Sequence, residues 1–518
     1  MILKNLALTT ILLSTLSCSD FIKLTDSQYG NEIALDEGEK FSVVFSNNIN
    51  GETHPCGCRK FPLGGLPQVY GQLNSLREKH PLIYVDSGDT LFETPIIAEY
   101  NQKSAEFKAR KIAEALDDLG LRIFTPGDQD FAMGVEFLAE ISQKHKFQFL
   151  MTNAKDNLKI KHEKKIKIKV GSKNFIFLGV IEPSLLLPKF RSYFLDPKQV
   201  LTEELKNLKK DDYLIIMSHA GMDYDISLAN NSDKIDWILG SHTQSFTTAP
   251  REVNQTKIAQ VLSRNHYLGE VKFFDEKNYE LLEIRDETKD LVKSNPMVTW
   301  LDKFKAELDQ IYLAEQSVFT THIKEDNRIP TYLSCSECHT QQVEFWQKTA
   351  HSISYSTLIH AKESNNPNCV KCHSVGMNQP EGFSNKSNMI VSEKEDFDDE
   401  KYWEELGAKV KFQHPVRKLS GEDRMEISAK WIELDKSKGI THNFANVQCS
   451  NCHVQDGEHP FSEKATQTPL ELQNKCLSCH SRDQSPEWYN KDEKGLATTL
   501  NEKYFATQLK KVACPLEN

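Results

Sequence analysis

The chain has 518 residues, 39% of them apolar and 26% charged, a globular composition large enough for two to four domains. Its 63 basic and 74 acidic side chains leave a net charge of −11, which excludes a nucleic-acid binder that works by neutralising phosphates. Residues 1–17 place Lys4 before the apolar run Leu6–Leu16, a signal-peptide pattern too short to cross a bilayer. Residues 18–39 are polar and read as a tether. Over 40–285, short apolar runs at 41–47, 81–89, 147–154, 174–183, 211–221 and 235–243 predict strands. Ile112, Ala115, Leu116 and Leu119 predict a helix stopped by Gly120, and Leu201, Leu205 and Leu208 a second. Strands alternating with helices predict an α/β layered domain. In 286–327, Met297, Leu301, Phe304, Leu308 and Ile311 recur at helical spacing, as in a connecting helix. Residues 328–485 lose that periodicity and are rich in Cys, His, Asn and Ser, and 486–518 form a polar tail without a readable motif.

Of the 12 cysteines, eight fall in four copies of Cys-x-x-Cys-His. The pairs are Cys335/Cys338, Cys369/Cys372, Cys449/Cys452 and Cys476/Cys479, followed by His339, His373, His453 and His480. In this pattern two thiols add to the vinyl groups of a haem and the histidine ligates its iron. Zinc is the competing reading of paired cysteines, but it does not require a histidine after every second one. Four covalent haems are therefore expected. Their apolar surfaces would replace an ordinary side-chain core, leaving this segment unfolded or molten without them. Sixth-ligand candidates are His351, His360, His414, His442 and His459.

The stretch from Cys335 to Gly376, with Trp346-x4-His351 between its two motifs, resembles the tetrahaem cytochromes c of nitrification-type electron transfer. So does Cys449–His453 followed by Gly457-Glu458-His459. The resemblance covers roughly residues 330–480 and implies a mainly helical and coil multihaem cytochrome c domain. It also implies that His351 and His459 are axial ligands and that two histidines per iron predominate, which favours electron transfer over chemistry at iron. His442 is a further expected ligand, and His360 and His414 are weaker ones.

The motif order in 40–245 resembles the metallophosphoesterase domain of 5′-nucleotidases and the related thiosulfohydrolases of sulfur oxidation. The counterparts are Asn48-Ile49-Asn50, Gly88-Asp89, Gly127-Asp128-Gln129-Asp130, His219 and His242-Thr243-Gln244. The resemblance implies an α/β sandwich with a two-ion site at its strand ends. Three of the four ligands for one ion are neutral amides here (Asn48, Asn50 and Gln244), and amides are poor ligands for a transition metal. The set implied for the other ion, Asp89, Asp128, His219 and His242, is intact and suits one divalent ion, Mn, Zn or Fe. The family's catalytic histidine is Gln129, which does not transfer a proton at neutral pH. One-ion and ion-free readings both stay open, and two-ion hydrolysis is expected to be weak or absent.

The loop His54-Pro55-Cys56-Gly57-Cys58 resembles an insert of exported relatives fused to cytochromes. Cys56 and Cys58 could be bridged to each other or to Cys514, or could form a redox-active dithiol. Leu16-Ser17-Cys18 resembles a lipoprotein cleavage site, with Cys18 lipidated and Ser19 directing the protein to the bacterial outer membrane. The expectation is an exported, lipid-anchored protein, periplasmic or at the cell surface, that exchanges electrons with redox partner proteins. Its first domain would serve binding or docking. The alternative is an enzyme acting there on a small anionic phosphate or sulfur-oxyanion substrate, coupled to the haems.

Overall fold

The strand at Phe41–Ser46 is buried on both faces, and so is most of Lys173–Ile181. Continuous apolar runs of this kind belong in the middle of a layered fold. The computed structural model describes residues 30–35, 39–55, 62–243, 245–275, 277–316, 328–379, 381–412, 416–453, 468–482, 484–491 and 497–515. Of the residues singled out above, Cys18, Cys56, Cys58, Gln244, His414 and His459 lie outside these.

The chain divides into two units. The first comprises the chain through Glu52, Gln68–Pro95 and Ile112–Ile284, and the second comprises Thr53–Pro67, Ile96–Lys111 and Arg285–Asn518. In the first unit a seven-stranded sheet runs, edge to edge, Glu32–Ile33, Ile166–Val170, Lys173–Ile181, Asp212–His219, Trp237–Gly240, Thr256–Ala259 and Arg251–Val253. A six-stranded sheet runs Tyr279–Glu283, Tyr267–Phe273, Phe41–Ser46, Leu82–Asp86, Leu121–Phe124 and Gln148–Phe149. The period-two alternation of strand side chains builds two cores from them. Phe41, Val43 and Phe45 of one sheet meet Phe175, Phe177 and Ile215 of the other in a common cluster. Ile176, Leu178 and Val180 point the opposite way, into a second cluster with Leu201 and Leu228 of the helices Pro197–Glu204 and Met222–Asn230. This is the α/β layered sandwich expected.

Phe41–Ser46, Leu82–Asp86, Leu121–Phe124 and Gln148–Phe149 pair in parallel, as do Lys173–Ile181, Asp212–His219 and Trp237–Gly240. Parallel strands release their loops at the carboxyl end, where ligands bind in open α/β sheets. The antiparallel pair Tyr267–Phe273 and Tyr279–Glu283 extends one sheet without a crossover; its runs went unread in the sequence because Glu270, Lys272 and Glu280 interrupt the apolar pattern.

In the second unit, helix Pro296–Gln316 buries Phe304, Leu308 and Tyr312 against Phe107. The cysteine-rich region differs from its expectation. It has a side-chain core of its own, with Ile353, Tyr355, Trp403, Leu406, Trp431 and Phe444 buried together. Helices Asp399–Lys409 and Gly421–Ser437 contribute to it, the first capped by the Asp398 side chain and the second by a Ser420/Asp423 capping box. The tail differs as well. It forms the paired strands Tyr489–Lys491 and Ala497–Leu500 and the helix Glu502–Val512, and it buries Trp488 and Phe505. These two apolar anchors are too widely spaced to read as a pattern. No helix among the described residues is long and apolar enough to cross a membrane.

Candidate metal centre and haem-attachment sites

The first unit brings its motif residues together at the carboxyl ends of the parallel strands. Asn48 and Asn50 follow Phe41–Ser46, Asp89 follows Leu82–Asp86, and Asp128 and Gln129 follow Leu121–Phe124. His219 ends Asp212–His219, and His242 follows Trp237–Gly240. Asn48, Asn50, Asp89 and His242 have φ of 51°, 54°, 58° and 70°, a left-handed backbone that Asn and Asp tolerate best among side-chain-bearing residues. Gly127 is required by space, since a Cβ there would lie 2.3 Å from Asp89 Oδ1 and from His219 Cε1.

Asp89, Asp128, His219 and His242 each offer one ligand atom within 4.8 Å of the others. His219 Nδ1–H donates to the Ser87 carbonyl at 3.0 Å, which leaves Nε2 facing Asp128 Oδ1 at 3.0 Å and Asp89 Oδ1 at 3.4 Å. His242 Nδ1 lies 2.9 Å from the same Asp128 oxygen. A backbone carbonyl that fixes the ring leaves the other nitrogen free for a cation. Burial works against the charge of both Asp128 and His219. Hydrogen bonds from the two histidines outweigh it at Asp128 and hold that carboxyl well below the usual carboxylate range. Asp89 and Asp128 outweigh it at His219 and raise the imidazole above its ordinary value. Two carboxylates and two imidazoles in this arrangement fit one divalent ion.

The amide residues are not idle. Asn48 Oδ1 accepts from Ser241 Oγ at 2.7 Å and from His242 N at 3.1 Å, and its Nδ2 donates to Thr243 O at 3.3 Å. Gln129 donates from its backbone N to Asp89 Oδ1 at 3.0 Å and from Nε2 to Asp89 Oδ2 at 3.1 Å. Asp130 carries a role that the motif comparison left blank. Its buried carboxylate accepts from the backbone N–H groups of Asp89, Thr90, Leu91 and Gly127 at 2.7–2.9 Å, joining two of the site's loops. Its place in Gly127–Asp130 was the available signal.

In the second unit the motif cysteines are half-buried except Cys338, which is exposed. In three of the four motifs the histidine N–H donates to the first cysteine's carbonyl: His339 to Cys335, His453 to Cys449 and His480 to Cys476, at 2.8–2.9 Å. This closes one helical turn over each of the three motifs. His373 Nδ1–H donates to Ser354 O at 2.7 Å, and His480 Nδ1 pairs with Ser485 Oγ at 3.0 Å, leaving Nε2 of each ring for iron. The Cys335 sulfur is within hydrogen-bond reach of Cys449, and that of Cys372 of Cys479.

Of the sixth-ligand candidates, His351 stands 6.5 Å from His480 between ring centroids. Burial pushes His480 down to about 4, with His351 and His373 adding to it, and burial lowers His351 as well. His442 is half-buried beside Phe444, and His360 is exposed beside Phe412. At the flank of the cysteine loop, His54 Nε2 lies 3.0 Å from Glu363 Oε1. Burial opposes charge on Glu363, but the bond from His54 and the nearby Lys305 bring it down to about 2.

Residues 334–394 match the family model for cytochrome c554 and c-prime. Over the N-terminal region the chain is similar to 5′-nucleotidases and their relatives. It is 26% identical over 187 residues to the apyrase of Tabanus yao, 30% of this chain and 34% of that one. It is 24% identical over 247 residues to the 5′-nucleotidase of Mus musculus, 42% of each. The chain thus spans about two fifths or less of these relatives' lengths. Among solved structures, the Thermus thermophilus sulfate thiohydrolase SoxB aligns at 16% identity and TM-score 0.44, over 56% of this chain and 64% of that one. A 5′-nucleotidase precursor from Thermus thermophilus aligns at 17% and 0.43, over 53% and 59%.

Proposed function

We propose that this chain is an exported multihaem cytochrome c that carries electrons through four covalently bound haems, its N-terminal unit serving binding or docking around one divalent ion. The observation that carries the reading is the fourfold Cys-x-x-Cys-His pattern, the first two copies inside the cytochrome c554 match. Cys335, Cys338, Cys369, Cys372, Cys449, Cys452, Cys476 and Cys479 would hold the haems, and His339, His373, His453 and His480 would ligate iron. Bound haem supplies one-electron exchange at iron. The His351–His480 ring-centroid separation of 6.5 Å supports these two as residues that would hold one haem iron.

Asp89, Asp128, His219 and His242 would hold Mn, Zn or Fe. Gln129 in place of the catalytic histidine speaks against phosphatase turnover. Export with a lipid on Cys18, redox partner proteins and a small anionic ligand at the N-terminal site belong to the same proposal. The test is haem stoichiometry with a redox titration on exported protein, alongside a screen of nucleotides and sulfur oxyanions. Four reducible haems per chain without hydrolysis are expected. A colourless mature chain overturns the reading, and metal-dependent turnover shifts it to an enzyme coupled to the haems.

A further inference from the structure

The amides at the site form a pattern that ligand loss alone does not produce. In a two-metal site with ions about 3.5–4 Å apart, a carboxylate can bridge by giving one oxygen to each. Here Asp89 Oδ1 faces His219 Nε2 at 3.4 Å, toward the four-ligand cage. The other oxygen, Oδ2, receives Gln129 Nε2–H at 3.1 Å. Gln129 is further fixed by its own N–H on Oδ1 at 3.0 Å, so one residue grips both oxygens of Asp89. Asn48 is committed too. Its oxygen is taken by Ser241 and His242, and its amide nitrogen by Thr243. These bonds hold the loop in which His242 sits at φ 70°. Gln129 Oε1 and Asn50 Oδ1 are buried without a hydrogen-bond partner among the described residues.

We infer that Gln129 is a positioning residue that makes the site mononuclear. Its side-chain amide occupies the Asp89 oxygen that a second ion would need, and it orients that carboxylate toward the ion held with Asp128, His219 and His242. The inference rests on the one-ion reading above and deepens it. The site is then a one-ion centre with a donor built over its second position, and returning the other ligands does not by itself return the second ion.

Manganese is the probe, because it is counted separately from haem iron and an isolated ion gives a six-line spectrum that a coupled pair does not. Full-length haem-loaded protein is stripped with chelator, reloaded with Mn²⁺, desalted and analysed for Mn per haem. One Mn per chain is expected for the native protein. One is also expected for Asn48→Asp with Asn50→His, and two, with a coupled spectrum, when Gln129→Ala is added. Two ions in the double variant, or one in the folded triple variant, overturn the role of Gln129. Two or none in the native protein overturns the one-ion reading itself. Gln129→Ala alone provides a check that does not depend on the multiple variants folding. Loss of an outer-shell partner weakens metal binding by about tenfold or more, so the retained Mn²⁺ should bind about tenfold more weakly, and an unchanged affinity overturns the orienting role.

Discussion

Asp130 shows how much one buried carboxylate can organise. Four backbone N–H groups from two loops converge on it, and each would be stranded in the interior without it. A hydrogen bond to a charged group contributes about 1.5–3 kcal/mol. Asp130→Ala should therefore destabilise the first unit by at least about 3 kcal/mol and abolish tight ion binding, as read by denaturant unfolding and metal titration; a loss under about 1 kcal/mol would refute the assignment. Asp225 is a different case. One of its oxygens takes Ser218 Oγ at 2.5 Å and the other is buried without a partner among the described residues. Burial pushes its carboxyl up to about 7, against the Ser218 bond and the charge of His219. The unfolded chain ionises near about 3.9, so the folded state holds the proton more tightly. That contribution is fully present below about pH 4 and fades as pH rises to about 7, with a slope of about 1.4 kcal/mol per pH unit. In ion-free protein, Asp225→Asn should flatten the fall in stability across that window, and parallel profiles for the two proteins would count against it.

At the scale of elements, the strands were the most legible part of the sequence. All six predicted runs contain strands, because a strand buried on both faces is a short apolar run bounded by polar residues. The convergence of Asp89, Asp128, His219 and His242 followed from them, since each motif sits at a strand's carboxyl end, where backbone direction fixes which side chains converge. The hydrogen bonds of Asn48 and Gln129 were not legible, because an amide at a ligand position reads as a loss until its partners are seen. The nearness of His351 to His480 was hidden for a related reason. The two are far apart in sequence, and only the short helix at His351–Ile353 and the end of Pro469–Cys479 bring them near. If they share an iron, His351→Ala should convert one haem in four from low-spin to high-spin. The absorption and EPR spectra of the oxidised protein would show this, with the other three haems unchanged. Spectra identical to the native ones would remove His351 from the ligand set.

At the scale of the whole molecule, the expected boundary near residue 285 rests on where the residue pattern changes, and two earlier stretches also pack with the second unit. Thr53–Pro67 and Ile96–Lys111 precede that boundary but belong to the second unit. Long-range packing of this kind leaves no periodic trace in a local window. Phe107 stacks on Phe304, with ring centroids 5.9 Å apart and an interplanar angle of 11°. Ser104 N–H donates to Glu315 Oε1 at 2.9 Å, and Asn295 Nδ2 to Pro67 O at 2.8 Å. A fragment of residues 30–284 therefore leaves Phe107 and the Ser104 and Pro67 backbone groups without these partners. Extending it to residue 316 restores all three contacts through helix Pro296–Gln316 and the turn before it. Burying one phenylalanine contributes about 2 kcal/mol, and each hydrogen bond about 1 kcal/mol. The longer fragment should thus exceed the shorter in unfolding free energy by about 4 kcal/mol and bind less of a dye that reports exposed apolar surface. Equal stability of the two fragments would mean that Ile96–Lys111 does not depend on the helix, and that the first unit is complete at residue 284 after all.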